Sequence, residues 1–335
     1  MTGSGIFQAA PAEIGGYFGL ELRQGAHWHD QALRLQSARA CLLHLINVLR
    51  PATVWLPWFL CDSLVESVAC SGIAIRRYAL RDGFLPDGPE ALQADELFVC
   101  VNYFGLNIAA VKAILARYPA RQVVVDNSQA FFCAPLGNLA TLYSPRKFFG
   151  VPDGGYLSTD ISIDAPAIRD DQSLRRSSHL LQRIAHDAPA GLEAYRTAER
   201  SLGGQPPMKM SQLTEALLAS IDYESVRERR NACYAQLDES LRAMNRLQLP
   251  PAAEAEAPLC YPLLHEAGAA LRKALIAHRI YVPNYWQEVM DNPACPEYDR
   301  HLAANLVALP CDQRVGQAQA AELINFVLDF LRQHA

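Results

Sequence analysis

Two hydrophobic rhythms alternate along the first half of the chain. "SARACLLHLINVL" from Ser37 carries apolar residues at helical spacing, with Ser37 placed to cap its start. "TVWLP" at 53–57 predicts a short buried strand. "CDSLVESVACSG" from Cys61 predicts a helix closed by Gly72, and "IAIRRYAL" from Ile73 a strand. "LFVCVNYFG" at 97–105 predicts another strand, and "IAAVKAILARY" from Ile108 a helix. "RQVVVDNS" from Arg121 holds a continuous apolar run, as expected of a strand covered on both faces. "ATLYS" and "GYLST" follow as short strand candidates. Strands alternating with helices predict an α/β fold, a mostly parallel sheet flanked by helices.

After about residue 160 the strand signals stop, and a helix-rich stretch runs to roughly residue 248. "PPAAEAEAP" at 250–258 resembles a linker. The tail is mixed: "APLCYPLL", the helix "EAGAALRKALIAHRI", "LVALP", and a closing helix from about Gln317. We read residues 1–210 as a large α/β domain with an N-terminal segment, and 211–335 as a smaller α+β domain.

Composition narrows the function classes. The 335 residues are 50% hydrophobic with a net charge of −5, so attraction to nucleic acid is not expected. The nine scattered cysteines form no C-x-x-C pair, which points to reduced thiols and a cytoplasmic protein. No apolar run of about 18 residues predicts a membrane span, and no basic stretch with an apolar follower predicts a signal peptide. The histidines at 27, 29, 44, 179 and 186 lack ligand spacing, so no metal site is expected. Arg175 and Arg176 read as a solvated helix face.

Ligands of such sheets bind outside the carboxyl ends of the strands. Pro57, Trp58, Phe59 and Cys61 stand after one strand, and Asn102, Tyr103 and Gly105 after another. Asp126 and Gln129 end the apolar run, Ser144 and Lys147 follow "ATLY", and Ser37 and Arg39 open the first long helix. A serine-capped helix start suits an anion. A lysine desolvated by neighbours such as Phe148 and Phe149 can form a Schiff base. A buried carboxylate can hold a pyridinium proton. Together these are the needs of pyridoxal phosphate.

Three segments, in order and at matching separations, carry a resemblance to a known family: "SARACL" at 37–42, "VDNSQAFF" at 125–132 and "YSPRKFFGVPDGG" at 143–155. The chain resembles the DegT/DnrJ/EryC1/StrS family of sugar aminotransferases, from "IGGYFGLEL" at 14–22 to "LVALPCDQR" at 306–314. The resemblance implies a fold-type-I pyridoxal-phosphate transferase, working as a homodimer on an amino donor, expected to be glutamate, and a nucleotide-linked keto-sugar. It implies that Lys147 carries the cofactor and shuttles a proton, and that Asp126 pairs with the pyridine nitrogen. Gln129 would lie near the ring hydroxyl, and Ser37, Ala38, Arg39 and Ser144 would hold the phosphate. Asn102 takes the place of a family histidine near the ring, Tyr17 is read as a substrate contact, and Lys209, where the family pattern has arginine, is expected to cross the dimer interface towards the partner's cofactor phosphate or the substrate diphosphate.

Three departures mark a divergent branch. Cys61 stands where the family stacks an aromatic residue on the ring, with Trp58 or Phe59 as the neighbouring substitutes. "PMKMS" at 207–211 replaces a family segment whose asparagine reaches the partner subunit's phosphate. The lysine segment is also longer than the usual form. Two other readings keep the fold: a non-catalytic or regulatory homodimer, and a sugar dehydratase or lyase. The lysine at 147 favours transamination, because the dehydratase branch has histidine there.

Overall fold

The computed structural model describes residues 14–334; residues 1–13, over which no signal peptide is expected, lie outside the described residues. The chain enters through β1 (Leu33–Leu35), α1 (Ala38–Leu49), β2 (Thr53–Pro57), α2 (Asp62–Ala69), β3 (Ala74–Arg81) and β4 (Leu85–Asp87). It continues through β5 (Glu96–Val101), α3 (Ile108–Arg117), β6 (Val123–Asn127), β7 (Ala140–Tyr143) and β8 (Gly155–Thr159). These strands form one eight-stranded sheet in the order β1-β8-β7-β6-β5-β2-β3-β4. The five strands from β7 to β3 run parallel, while β8, β1 and β4 are antiparallel to their neighbours. Every residue of β5 and β6 is buried, which is why these segments read as unbroken apolar runs.

Register sets up the site. Asp126 lies opposite Val101 of β5 and Leu142 of β7, so three strands end together at one edge. The strand order turns back between β5 and β2, which leaves a crevice at their carboxyl ends.

The second half is mostly helical: α4 (Ser173–Arg176), α5 (Ser178–Ala185), α6 (Leu192–Ser201), α7 (Gln212–Ala219) and α8 (Tyr223–Leu241). A small antiparallel sheet, β9 (Tyr261–Leu264) with β10 (Leu306–Leu309), then packs with α9 (Gly268–Ala277), α10 (Glu297–Asn305) and α11 (Gln317–Gln333). It is tied to the large sheet: Leu259 N–H donates to Phe104 O (2.9 Å), and Leu80 N–H to Asp299 Oδ2 (3.1 Å).

Three elements go beyond the sequence pattern. β1 and β4 are three residues each, too short to show a period, and α10 is polar on most of its length. The solvated face expected at 175–176 is corrected for Arg176. Its guanidinium is buried against Asp170 (2.5 Å) and also donates to Ser201 Oγ (2.7 Å). An ion pair hidden this way has the same local sequence as a surface one.

Asp299 generates a pH prediction. Burial pushes its carboxyl up to about 6, and its Oδ1 is buried with no partner. A raised folded-state value favours the protonated form. Its stabilising effect is therefore full below pH ~4 and fades as pH rises through ~6. Asp299→Asn removes this titration. Wild type minus variant stability, from thermal unfolding at several pH values, should fall by about 2–3 kcal/mol between pH ~4 and ~6.5. A flat difference would contradict this account.

Candidate active site

The lysine loop is held from both sides. β7 ends at Tyr143, Ser144 follows, and Pro145 fixes the first φ of a single tight turn, Pro145–Lys147. Phe148 and Phe149 N–H groups donate back to Pro145 O (2.9 and 2.8 Å). Both rings sink into an aromatic cluster with Phe131, Phe132 and Tyr223, and Arg230 lies over Phe148 at 4.5 Å. The expectation that these rings desolvate Lys147 is corrected here. They turn inward to fill the cluster, and the lysine stays exposed at the cleft mouth.

The turn that follows explains "PDGG". Asp153 is fully buried and accepts both the N–H (3.1 Å) and hydroxyl (2.6 Å) of Ser211, the N-cap of α7. Burial raises the Asp153 carboxyl, with these hydrogen bonds opposing. Gly154 has φ +122°, a conformation open to glycine. A Cβ on Gly155 would stand 2.3 Å from the carbonyl carbon of Ser37. The two glycines therefore let β8 lie directly on the backbone that caps α1, and Gly154 N–H donates to Gln36 O (2.7 Å).

At that cap, Ser37 Oγ accepts the Ala40 N–H (3.1 Å). The Arg39 N–H has no acceptor among the described residues, leaving a donor at the positive end of a 12-residue helix. Burial lowers the Arg39 guanidinium, and no carboxylate pairs with it among the described residues.

Asp126, 5% exposed at the end of β6, accepts the Ser128 N–H on Oδ1 (2.8 Å), so it is also a turn residue. Cys100 below it is pushed up to about 12, first by burial and then by the Asp126 charge. Gln129 Oε1 accepts the Phe104 N–H (3.1 Å), while its Nε2 is buried with no partner. A buried donor left over in this way, on the wall of a cleft, is available to a water or a ligand entering it.

One cleft is lined by Ser37, Ala38, Arg39, Cys61, Asp126, Gln129, Ser144 and Lys147, drawn from four separate parts of the chain. Four expected residues are not among its walls. Phe59 is fully buried, its ring edge-on to Trp286 (4.4 Å) and beside Tyr103 (5.6 Å). Asn102 spends its amide on Asn127 Oδ1 (3.1 Å) and the Asn107 N–H (3.0 Å), which makes it a tie below the cleft. Tyr17 is 98% exposed, because the segment around it has no secondary structure to dock it. Lys209 is held by its backbone at the edge of β1, with its N–H donating to Ile168 O (2.8 Å).

Several walls were not foreseen: Ser128, Arg146 paired with Glu199 of α6, and Trp286. Arg146 is buried enough to lower its guanidinium to about 10, still a cation at neutral pH. Its place beside Lys147 was a signal; Glu199 and Trp286, far along the chain, gave none. Among the described residues no group of three His, Cys, Asp or Glu could hold a metal ion, and no helix is long and apolar enough to cross a membrane.

No protein-family model and no curated protein matches the sequence. Solved structures do match in fold. A DegT DnrJ EryC1 StrS aminotransferase from Brucella abortus superposes with a TM-score of 0.62 at 15% identity, covering 89% of this chain and 85% of that one. DesV of S. venezuelae, solved with a ketimine intermediate, gives 0.63 at 18% identity, covering 89% and 84%. DesI, solved in the presence of its TDP-sugar product, gives 0.59 at 18% identity, covering 88% and 79%. The chain has the fold of these aminotransferases, the fold-type-I architecture.

The glycine contact is directly testable. Gly155→Ala must move backbone at the α1 cap and should cost about 3 kcal/mol or more. Gly150→Ala meets only Leu180 Cδ2 at 3.5 Å and should stay within about 1 kcal/mol of wild type. Thermal unfolding of both variants checks the pair; equal stabilities would contradict the close approach.

Proposed function

We propose that the chain is a pyridoxal-phosphate-dependent aminotransferase of the DegT/DnrJ/EryC1/StrS family. It would move an amino group from glutamate to a nucleotide-linked keto-sugar. The observation that carries this reading is the cleft itself: Asp126, Gln129 with its unpartnered Nε2, Lys147 and the α1 N-terminus share one wall system. Two of the fold neighbours were solved with a ketimine intermediate and a TDP-sugar product, which supports the substrate class.

The residues fit the cofactor. The orphaned amide donor of Gln129 suits the ring oxygen, and the Arg39 N–H with the Ser37 and Ser144 hydroxyls suits the phosphate. Bound there, pyridoxal phosphate supplies an electron sink for the carbon that bears the amino group. Asp126 would hold a proton on the pyridine nitrogen. Lys147 Nζ would hold the cofactor and move the proton at the substrate carbon. Ser37, Ser144 and the helix end would hold the phosphate.

A homodimer in the cytoplasm is part of the proposal. Its support is exposed apolar surface: Ile14, Tyr17, Phe18 and Leu20 on the N-terminal segment, and Leu174, Leu181 and Ile184 on α4 and α5. Lys209, whose side chain makes no ion pair among the described residues, would reach the partner's cofactor phosphate or the substrate diphosphate. Division into a cofactor domain to residue 210 and a smaller domain beyond it completes the reading.

Borohydride reduction of the protein with pyridoxal phosphate should fix the cofactor on Lys147, read by peptide mass spectrometry. Label on Lys209 or another lysine instead would overturn the assignment. Lys209→Ala chains mixed with Lys147→Ala chains should regain one working site per dimer. No recovery on mixing, or wild-type behaviour of Lys209→Ala alone, would remove the cross-subunit role.

A further inference from the structure

Trp286 is the single aromatic side chain among the described walls of the cleft. It arrives from the C-terminal half, just before the short turn Gln287–Asp291. Its backbone is left-handed, with φ 55° and ψ 47°. A bulky residue rarely adopts that conformation, and it persists only where the surroundings over-determine it. Such strain points towards function rather than away from it.

The surroundings do fix the residue. Phe59 meets the indole edge-on at 4.4 Å (86° between planes), and Tyr103 lies 5.8 Å away. Val289 N–H donates to Trp286 O (3.0 Å), and Gln287 Nε2 donates to Ala303 O (2.9 Å), which clamps the turn. Trp286 is 7% exposed and lines the cleft.

Cys61 lines the same cleft and is small. Phe59, two residues earlier, is fully buried behind Trp286. The strand end thus offers no ring to the cleft, while the C-terminal half delivers one. A planar, electron-poor pyridinium gains from an aromatic face next to it.

Resting on the cofactor reading above, we propose that Trp286 is the aromatic wall for the pyridine ring, supplied by the C-terminal half of the chain in place of the strand-end residue. The cofactor then bridges both halves, with Asp126 and Lys147 from one and Trp286 from the other.

Apoprotein titrated with pyridoxal phosphate and followed by its visible absorbance tests this. Trp286→Ala should raise the cofactor Kd by about tenfold, while Trp286→Phe stays within about threefold of wild type. Apoprotein unfolding temperature checks that each variant is folded, and borohydride labelling should still fall on Lys147. Wild-type affinity in Trp286→Ala, or equal losses in both folded variants, would overturn the aromatic-wall role. Failure of the wild type itself to bind pyridoxal phosphate would overturn the cofactor reading instead, and this inference with it.

Discussion

Two glycines crossing the backbone of Ser37 hold the cleft together. At Gly155 a side chain would overlap the Ser37 carbonyl carbon and the Ala38 nitrogen, so β8 and the α1 cap can meet only without one. That contact brings the positive end of α1 beside the lysine loop. Asp153, one residue before the pair, anchors the same turn to the N-cap of α7. The "DGG" of the lysine segment thus joins three elements that sequence separates widely. Removing Cβ there costs backbone entropy, which the fold recovers through the capped helix and the buried hydrogen bonds.

The remaining geometry follows from the parallel sheet. Strands β5, β6 and β7 end in register, so Asp126, Gln129 and Ser144 reach one edge without any loop having to carry them far. Charges are handled by pairing: Arg146 with Glu199 near the cleft, and Asp170 with Arg176 deep behind it. The buried Asp170–Arg176 pair adds little net stability, yet loss of one partner is costly, so with the Arg176–Ser201 hydrogen bond it fixes how α4 sits against α6.

Legibility in the sequence varied for physical reasons. β2, β5 and β6 were readable because burial on both faces leaves an unbroken apolar run. That Lys147, Asp126, Gln129 and Ser37 would meet at one edge was readable because each sits next to a strand end or helix start, whose signals are local. Phe59 and Asn102 were not, since the direction of a side chain just past a strand depends on what packs there: Trp286 for one and Asn127 for the other. Tyr17 stood on a segment with no periodic pattern. Trp286 and Glu199 left no local trace at all, because their part is defined only by the tertiary approach of distant chain.

Addition of glutamate to the protein carrying pyridoxal phosphate tests the central claim most directly. The account predicts loss of the cofactor–lysine absorbance band with release of about one 2-oxoglutarate per site, as the first half of an amino transfer requires. A band that survives glutamate, with no 2-oxoglutarate formed, would contradict it.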